Sequence, residues 1–264
     1  MKWKTVILFF VLSVGSFAGL VYYYGFTWQD LVSLSFYGNL ANPSIRIVKI
    51  QEGLRKEQVA DIVGKKMGWN ETEKEKFMNS HLAFGKDISE GYFFPKSYML
   101  PKDSSPEQVG KTMLDEYKKE TKNVPKTKKT KIINEETALT IASIIQRESG
   151  GKKDMRLISG IIWNRIFAGM KLQMDATLQY AKGDEENGWW PQVEPEDKYI
   201  ESPYNTYMYN SLPPTPIANP GLAAIEAAYN PQTTSCLFYL HDKRGIIHCA
   251  KTYTEHKKNI AKYY

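Results

Sequence analysis

The sequence predicts an α+β protein tethered to a membrane, and three features carry that expectation. An uncharged run of 22 residues, Thr5 to Phe26, opens the chain. A strand and two helices then follow within about 40 residues, the size of a small module rather than a full domain. Beyond a lysine-rich stretch, helical periodicity gives way to loops and two short strands.

The opening run, "TVILFFVLSVGSFAGLVYYYGF", is long enough to cross a bilayer as one helix. Lys2 and Lys4 precede it, which assigns residues 1–4 to the cytoplasm and everything after Phe26 to the outside. Tyr22, Tyr23, Tyr24 and Trp28 suit an aromatic belt at the outer interface. A cleaved signal peptide is the rival, because Ser16-Phe17-Ala18 resembles a cleavage site. The apolar run continues past Ala18, which favours an uncleaved anchor over residues 5–26.

Residues 27–44 read as a stalk ending in "NPS". "IRIVKI" is a short strand, Glu52-Gly53 a turn, and the next helix places Val59, Ile62, Val63 and Met67 on one face. "ETEKEKFMNSHL" is a second, more polar helix, completing an accessory unit over 45–85. A connecting region over 86–130 holds the extended "GYFFPKSYMLP" and a helix near 106–120, and ends in "KKETKNVPKTKKTK". Those lysines read as a solvated helix end and domain boundary ahead of a dedicated anionic-polymer site.

A larger domain fills 131–264. Asn134 caps a helix whose first turn carries Glu135 and Glu136, the favoured sign there. That helix runs through "TALTIASIIQRE" to Gly150-Gly151, and "DMRLISGIIWNRIFA" forms the next, with Gly169 at its end. Loops dominate 183–221, and "GLAAIEAAYNP" is the last helix expected. Cys236 and Cys249 flank a hairpin, "LFYLHDKRGIIH"; a cross-strand disulfide and two free thiols are both open.

The net charge of +6 favours a membrane face, an acidic polymer or nucleic acid. Nucleic acid is the least favoured, since no nucleic-acid signature, phosphate loop or zinc-type cysteine spacing occurs. His241, His248 and His256 show no metal-ligand spacing either.

On a helical wheel with Ile141 at zero, Ile144 falls near 300° and Ile145 near 40°. Glu148 falls near 340°, inside that apolar arc, while Gln146 and Arg147 point away from it. A carboxylate aimed inward needs a partner or a purpose. The bland account is an ion pair with Arg165 or Arg156, or a frayed end. The chemical account is a general acid whose pKa is raised by apolar surroundings, as glycoside cleavage requires. Ser149 and Gly150, small and polar, suit a cleft edge, and the Tyr, Trp and Asn of the later loops suit sugar rings.

"LTIASIIQRESG", "GIIWNRIFAGMKLQMDATLQYA", "SPYNTYMYNSLPPTPIANPGLAAIEAAYNP" and "KTYTEH" follow in an order and spacing that resemble the YceG-like (MltG-type) endolytic murein transglycosylases. "EGYFFPKSY" is similar to a further segment of that family, and 45–85 resembles its LysM-like subdomain. The resemblance implies a membrane-anchored enzyme, N-terminus inside, cutting peptidoglycan glycan strands outside the cytoplasmic membrane. It implies Glu148 as the catalytic residue and 1,6-anhydro-muramic acid as the product end. It implies no cofactor and no metal, with bifunctional penicillin-binding proteins as candidate partners.

A single glutamate suffices for such a reaction, because the muramyl C6 hydroxyl replaces the water that a second carboxylate would activate. Asp175 is open to two roles, helix cap or site-shaping group. Tyr204, Asn205, Thr206 and Tyr207 either line the cleft for substrate or scaffold the loop. Arg165 and Asn164 either meet a carboxylate or bond a neighbouring loop. This chain departs from the family pattern at Gln146, Lys96 and Cys249. The rival functions are a hydrolytic muramidase and a non-catalytic peptidoglycan-binding scaffold.

Overall fold

Apolar residues collect in two clusters, one drawn from the first half of the chain and one mostly from the second, which Tyr92, Phe94, Leu114 and Tyr117 of the first half join. A computed structural model describes residues 15–86, 89–127, 130–131 and 133–263. It shows a mixed α+β arrangement, mostly helical, with two two-stranded antiparallel sheets.

In the first half, β1 (Ile45–Lys49) pairs with β2 (Ser97–Pro101), placing Val48 opposite Tyr98. Helices α1 (Lys56–Met67) and α2 (Glu71–Met78) lie between them in sequence, and α3 (Pro106–Thr121) follows. Reciprocal hydrogen bonds between Asn70 and Glu73 start α2. Val48, Val59, Val63, Phe77, Phe93, Val109 and Met113 form the shared core. So β2 and one face of α3, both within the stretch 86–130 expected to connect the two halves, pack with this unit, while Leu114 and Tyr117 of α3 enter the other cluster. The physical reason is pairing: β1 alone would leave its ladder unmade, and Val109 and Met113 of α3 need a core to enter.

The second half is built around α4 (Glu135–Glu148). Every residue from Ala138 to Ile145 is buried, so this is a central helix rather than an amphipathic one. Asn134 Oδ1 accepts the Thr137 N–H at 2.7 Å and fixes its start. Around it pack α5 (Met155–Phe167), α6 (Asp175–Lys182) and α7 (Leu222–Tyr229). Gly169, at φ +64°, takes the left-handed position just past α5. A hairpin of β3 (Phe238–His241) and β4 (Ile247–Ala250) closes over this bundle, and a disulfide joins Cys236 to Cys249.

Two differences from the sequence expectations concern the ends of the chain. Residues 5–14 of the expected anchor lie outside the described residues; 15–24 are helical. Among the described residues no helix is long and apolar enough to cross a membrane. The expected stalk contains two short helices, Trp28–Leu31 and Leu34–Ala41. At the other end, the last expected helix is followed by α8 (Tyr253–Tyr263). That helix buries no side chain among its described residues. It is held by Glu255 accepting from the Lys251 N–H and by ring stacking of His256 on Phe238.

At Gly160 of α5 the packing is tight against backbone: an added Cβ would sit 2.2 Å from the Gln232 carbonyl oxygen. Gly160→Ala is therefore expected to cost about 1–3 kcal/mol. In thermal unfolding the midpoint should fall by several degrees, while Gly151→Ala, which meets nothing within 4 Å, leaves it nearly unchanged.

Candidate active site

Glu148 is the last residue of α4, at the helix end where unpaired carbonyls make a carboxylate unwelcome. Its neighbours reverse that penalty. Oε1 accepts the backbone N–H of Ala176 in the first turn of α6 at 3.0 Å, and Oε2 accepts the Tyr239 hydroxyl of β3 at 2.7 Å. Neither arginine of the bland account is its partner. Arg165 donates to the carbonyl oxygens of Leu237 and Leu172, and Arg156 to that of Asn230. Asn164 likewise bonds the Thr234 and Cys236 carbonyls, so both α5 residues hold the loop that leads into the hairpin.

The half-buried Glu148 faces an open cavity of about 720 Å³, lined also by Arg165, Gln173, Asp175, Tyr207, Tyr239 and His241. Burial raises the Glu148 pKa above its ordinary value, and nearby Asp175 pushes the same way. The Ala176 N–H, the Tyr239 hydroxyl and His241 oppose them without cancelling the rise. The Tyr239 phenol is itself held well above its usual range by burial and by Glu148. A carboxyl that holds its proton more tightly than an ordinary glutamate, with donors ready for the anion, can act as an acid and then as a base.

Asp175 opens α6 but does not cap it; its side chain is exposed and accepts the Tyr207 hydroxyl at 2.5 Å. The carboxylate that meets the start of α6 is Glu148. Of the four loop residues, Tyr207 lines the cavity. Asn205 and Thr206 are buried behind its wall. Asn205 donates to the Lys198 and Ile200 carbonyls, and Thr206 Oγ1 accepts the Met174 N–H at 3.0 Å. Tyr204 bonds Thr215 and packs on Tyr180. These three set the shape of the loop. Gln146 and Arg147 do leave the apolar arc, yet they are covered: Gln146 accepts the Gly221 N–H, and Arg147 stacks 3.8 Å from the Trp190 ring. Lys96 pairs with Glu116 at 2.6 Å, so each departure from the family pattern has a local partner.

Several cavity residues escaped the sequence reading. Tyr239 and His241 share one face of β3 by the two-residue strand repeat, the only signal available for them. His241 Nε2 lies 2.9 Å from Asp154 Oδ2. Gln173 has φ +51°, the only non-glycine residue with positive φ among those described. Its N–H is held by the Thr206 carbonyl at 3.1 Å, and this strained turn delivers Met174, Asp175 and the Ala176 N–H to the cavity floor.

A family model described as the YceG-like family matches residues 28–262. The chain belongs to the YceG-like family. A curated relative from Bacillus subtilis, named endolytic murein transglycosylase, is 35% identical over 69% of this chain and 50% of its own length. A relative of the same name from Streptococcus pneumoniae is 31% identical over 66% of this chain and 32% of its own. The chain thus spans half the length of the first relative and about a third of the second. The 2.6 Å crystal structure of a YceG-like protein from Listeria monocytogenes is 28% identical, with a TM-score of 0.66, covering 84% of this chain and 78% of that one.

A raised folded-state pKa fixes the sign of a stability test. Glu148 holds its proton more tightly in the folded chain than in the unfolded one, where a glutamate titrates at about 4.3. Stability from this group is therefore full below that value and is lost as pH rises through the folded pKa. Glu148→Gln removes the loss. Its melting temperature relative to wild type is expected to climb as pH rises from about 4 to about 8. A difference that falls over that range would contradict the assignment.

Proposed function

We propose that this YceG-like chain cleaves peptidoglycan glycan strands internally as a lytic transglycosylase, with Glu148 as its acid and base. The observation that carries the reading is a half-buried carboxyl of raised pKa at the wall of an open cavity, held by a helix N-terminus and a tyrosine. Glu148 protonates the oxygen that leaves the anomeric carbon of the N-acetylmuramyl residue. The C6 hydroxyl of that sugar attacks the same carbon and surrenders its proton to the Glu148 carboxylate. One C–O bond breaks, the 1,6-anhydro ring closes, and the carboxyl returns to its starting state. The Ala176 N–H and Tyr239 hydroxyl steady the anion between the two transfers.

The names of the relatives support this activity. On the same footing we place the catalytic half outside the cytoplasmic membrane, anchored through residues 5–26 with the N-terminus inside, where nascent strands emerge. The uncharged run supports that topology. The unit formed by β1, α1, α2 and β2 supports the LysM-like reading of 45–85 as a glycan-contacting module. Strand-length control and penicillin-binding proteins as partners rest on the family resemblance.

A hydrolytic muramidase is the second reading, and one observation favours it. Asp175, a second carboxylate, lines the same cavity as Glu148. Mass spectrometry of digested glycan separates the two: anhydro-muramyl ends are expected, and reducing ends alone would establish hydrolysis. Glu148→Gln is expected to lower cleavage by at least about 100-fold with the fold intact. Unchanged cleavage or unchanged cellular function in that variant would instead indicate a binding scaffold. In wild type, the rate of the protonation-limited step should fall as pH rises through the Glu148 pKa.

A further inference from the structure

Between the two halves of the chain, one arginine is gripped from several sides. Arg55, immediately ahead of α1, is only 4% exposed. Its guanidinium carbon stands 4.3 Å from the Tyr180 ring centre, 4.6 Å from Trp190 and 5.6 Å from Trp189. Nη2 donates to the Gln179 carbonyl at 2.8 Å and Nη1 to the Gly183 carbonyl at 3.0 Å. Among the described residues it forms no ion pair. What it grips is the C-terminal end of α6, where carbonyls lack helical partners and a cation is favoured.

The fit is close on the other side as well. A Cβ at Gly183 would lie 2.3 Å from the Trp189 carbonyl oxygen and 2.8 Å from Arg55 Nη2. Gln58, in the first turn of α1, accepts the Trp190 indole N–H at 3.2 Å. So the first half of the chain holds α6 at its last turn through Arg55. The opposite end of that same eight-residue helix gives its Ala176 N–H to Glu148. A helix of this length is a strut of about 12 Å, stiff enough to carry a tilt from one end to the other.

We propose that Arg55 is a positioning residue for the Glu148 site: it clamps α6 to the N-terminal unit and thereby keeps the first turn of α6 on the Glu148 carboxylate. The proposal rests on Glu148 as the acid for its effect on rate, but not for its effect on the carboxylate itself. The accessory unit is then part of the catalytic machinery's support and not only a contact surface for glycan. Loosening the clamp withdraws the donor that favours the ionised form, while Glu148 stays half-buried beside Tyr239.

The test uses the full chain labelled with ¹³C-carboxyl glutamate, the Glu148 resonance being identified by its loss in Glu148→Gln. Arg55→Gln and Gly183→Ala attack the contact from opposite sides, and Arg55→Lys keeps the charge without the two-pronged grip. The Glu148 titration midpoint is expected to rise by about one pH unit in the first two and by less in Arg55→Lys. Lys74→Gln, which removes a surface pair with Asp61 on the same unit, should leave it in place. In glycan digestion, kcat is expected to fall by about 10-fold or more with KM within about twofold. A midpoint that stays put, or drifts down as a merely wetter site would give, overturns the proposal. If Arg55→Gln does not fold, Gly183→Ala and Arg55→Lys decide by the same readout. Wild type that cuts no glycan would defeat the enzymatic reading and leave the titration result standing by itself.

Discussion

The site depends on one meeting of helix ends. The C-terminus of α4 carries a carboxylate where the helix dipole opposes it, and the N-terminus of α6 supplies an N–H where the dipole welcomes it. Neither end satisfies itself: the first turn of α6 has no side-chain cap of its own, and Glu148 has no arginine. Each completes the other. Because the match is made by backbone and one carboxylate, it holds only while both helices keep their relative placement, and most of the second half serves that purpose.

That placement is set from three directions. Thr206, buried behind the wall, fixes the turn at Gln173 and Met174 from which α6 departs. Arg165 and Asn164 of α5 tie down the segment entering β3, which brings the Tyr239 hydroxyl to the other Glu148 oxygen. The third direction comes from the first half of the chain. Asn219 donates to Glu90 and to the Leu54 carbonyl while its own carbonyl oxygen takes the Phe93 N–H, so the loop before α7 is bonded across the boundary. Glu90 in turn accepts the Lys56 N–H at the start of α1, and burial beside Glu57 raises its pKa to about 8. Such fully engaged polar groups bind the two halves more specifically than apolar contact alone does.

The parts of this arrangement that follow a period were legible. The helical repeat singled out Glu148 on the inner face of α4, and the caps at Asn134 and Gly169 were visible as residue types in the right places. What sequence could not show was anything made by contacts between distant segments. Tyr239 lies 91 residues from its partner Glu148, and Arg55 lies 124 from Gln179. Asp175 looked like a cap because Asp is a good one, yet the helix start was already taken by Glu148. Gln146 and Arg147 looked solvent-facing because the wheel describes one helix by itself, without the neighbours that cover its outer face. The second strand and α3 were read as a connector because β1 and β2 are separated by 47 intervening residues, and pairing across that distance leaves no local mark.

The donors around Glu148 also decide which of its oxygens carries the proton. The Ala176 N–H can only donate, so Oε1 is best served as the carbonyl-like oxygen in both charge states. The Tyr239 hydroxyl can turn from donor to acceptor, so Oε2 accommodates a proton without leaving a buried group unmet. The acidic proton therefore belongs on Oε2, on the β3 side of the cavity. Under the proposed reaction, a glycosidic oxygen that receives it approaches along the side of the cavity lined by Tyr239 and His241 of β3 and Tyr253 and His256 of α8.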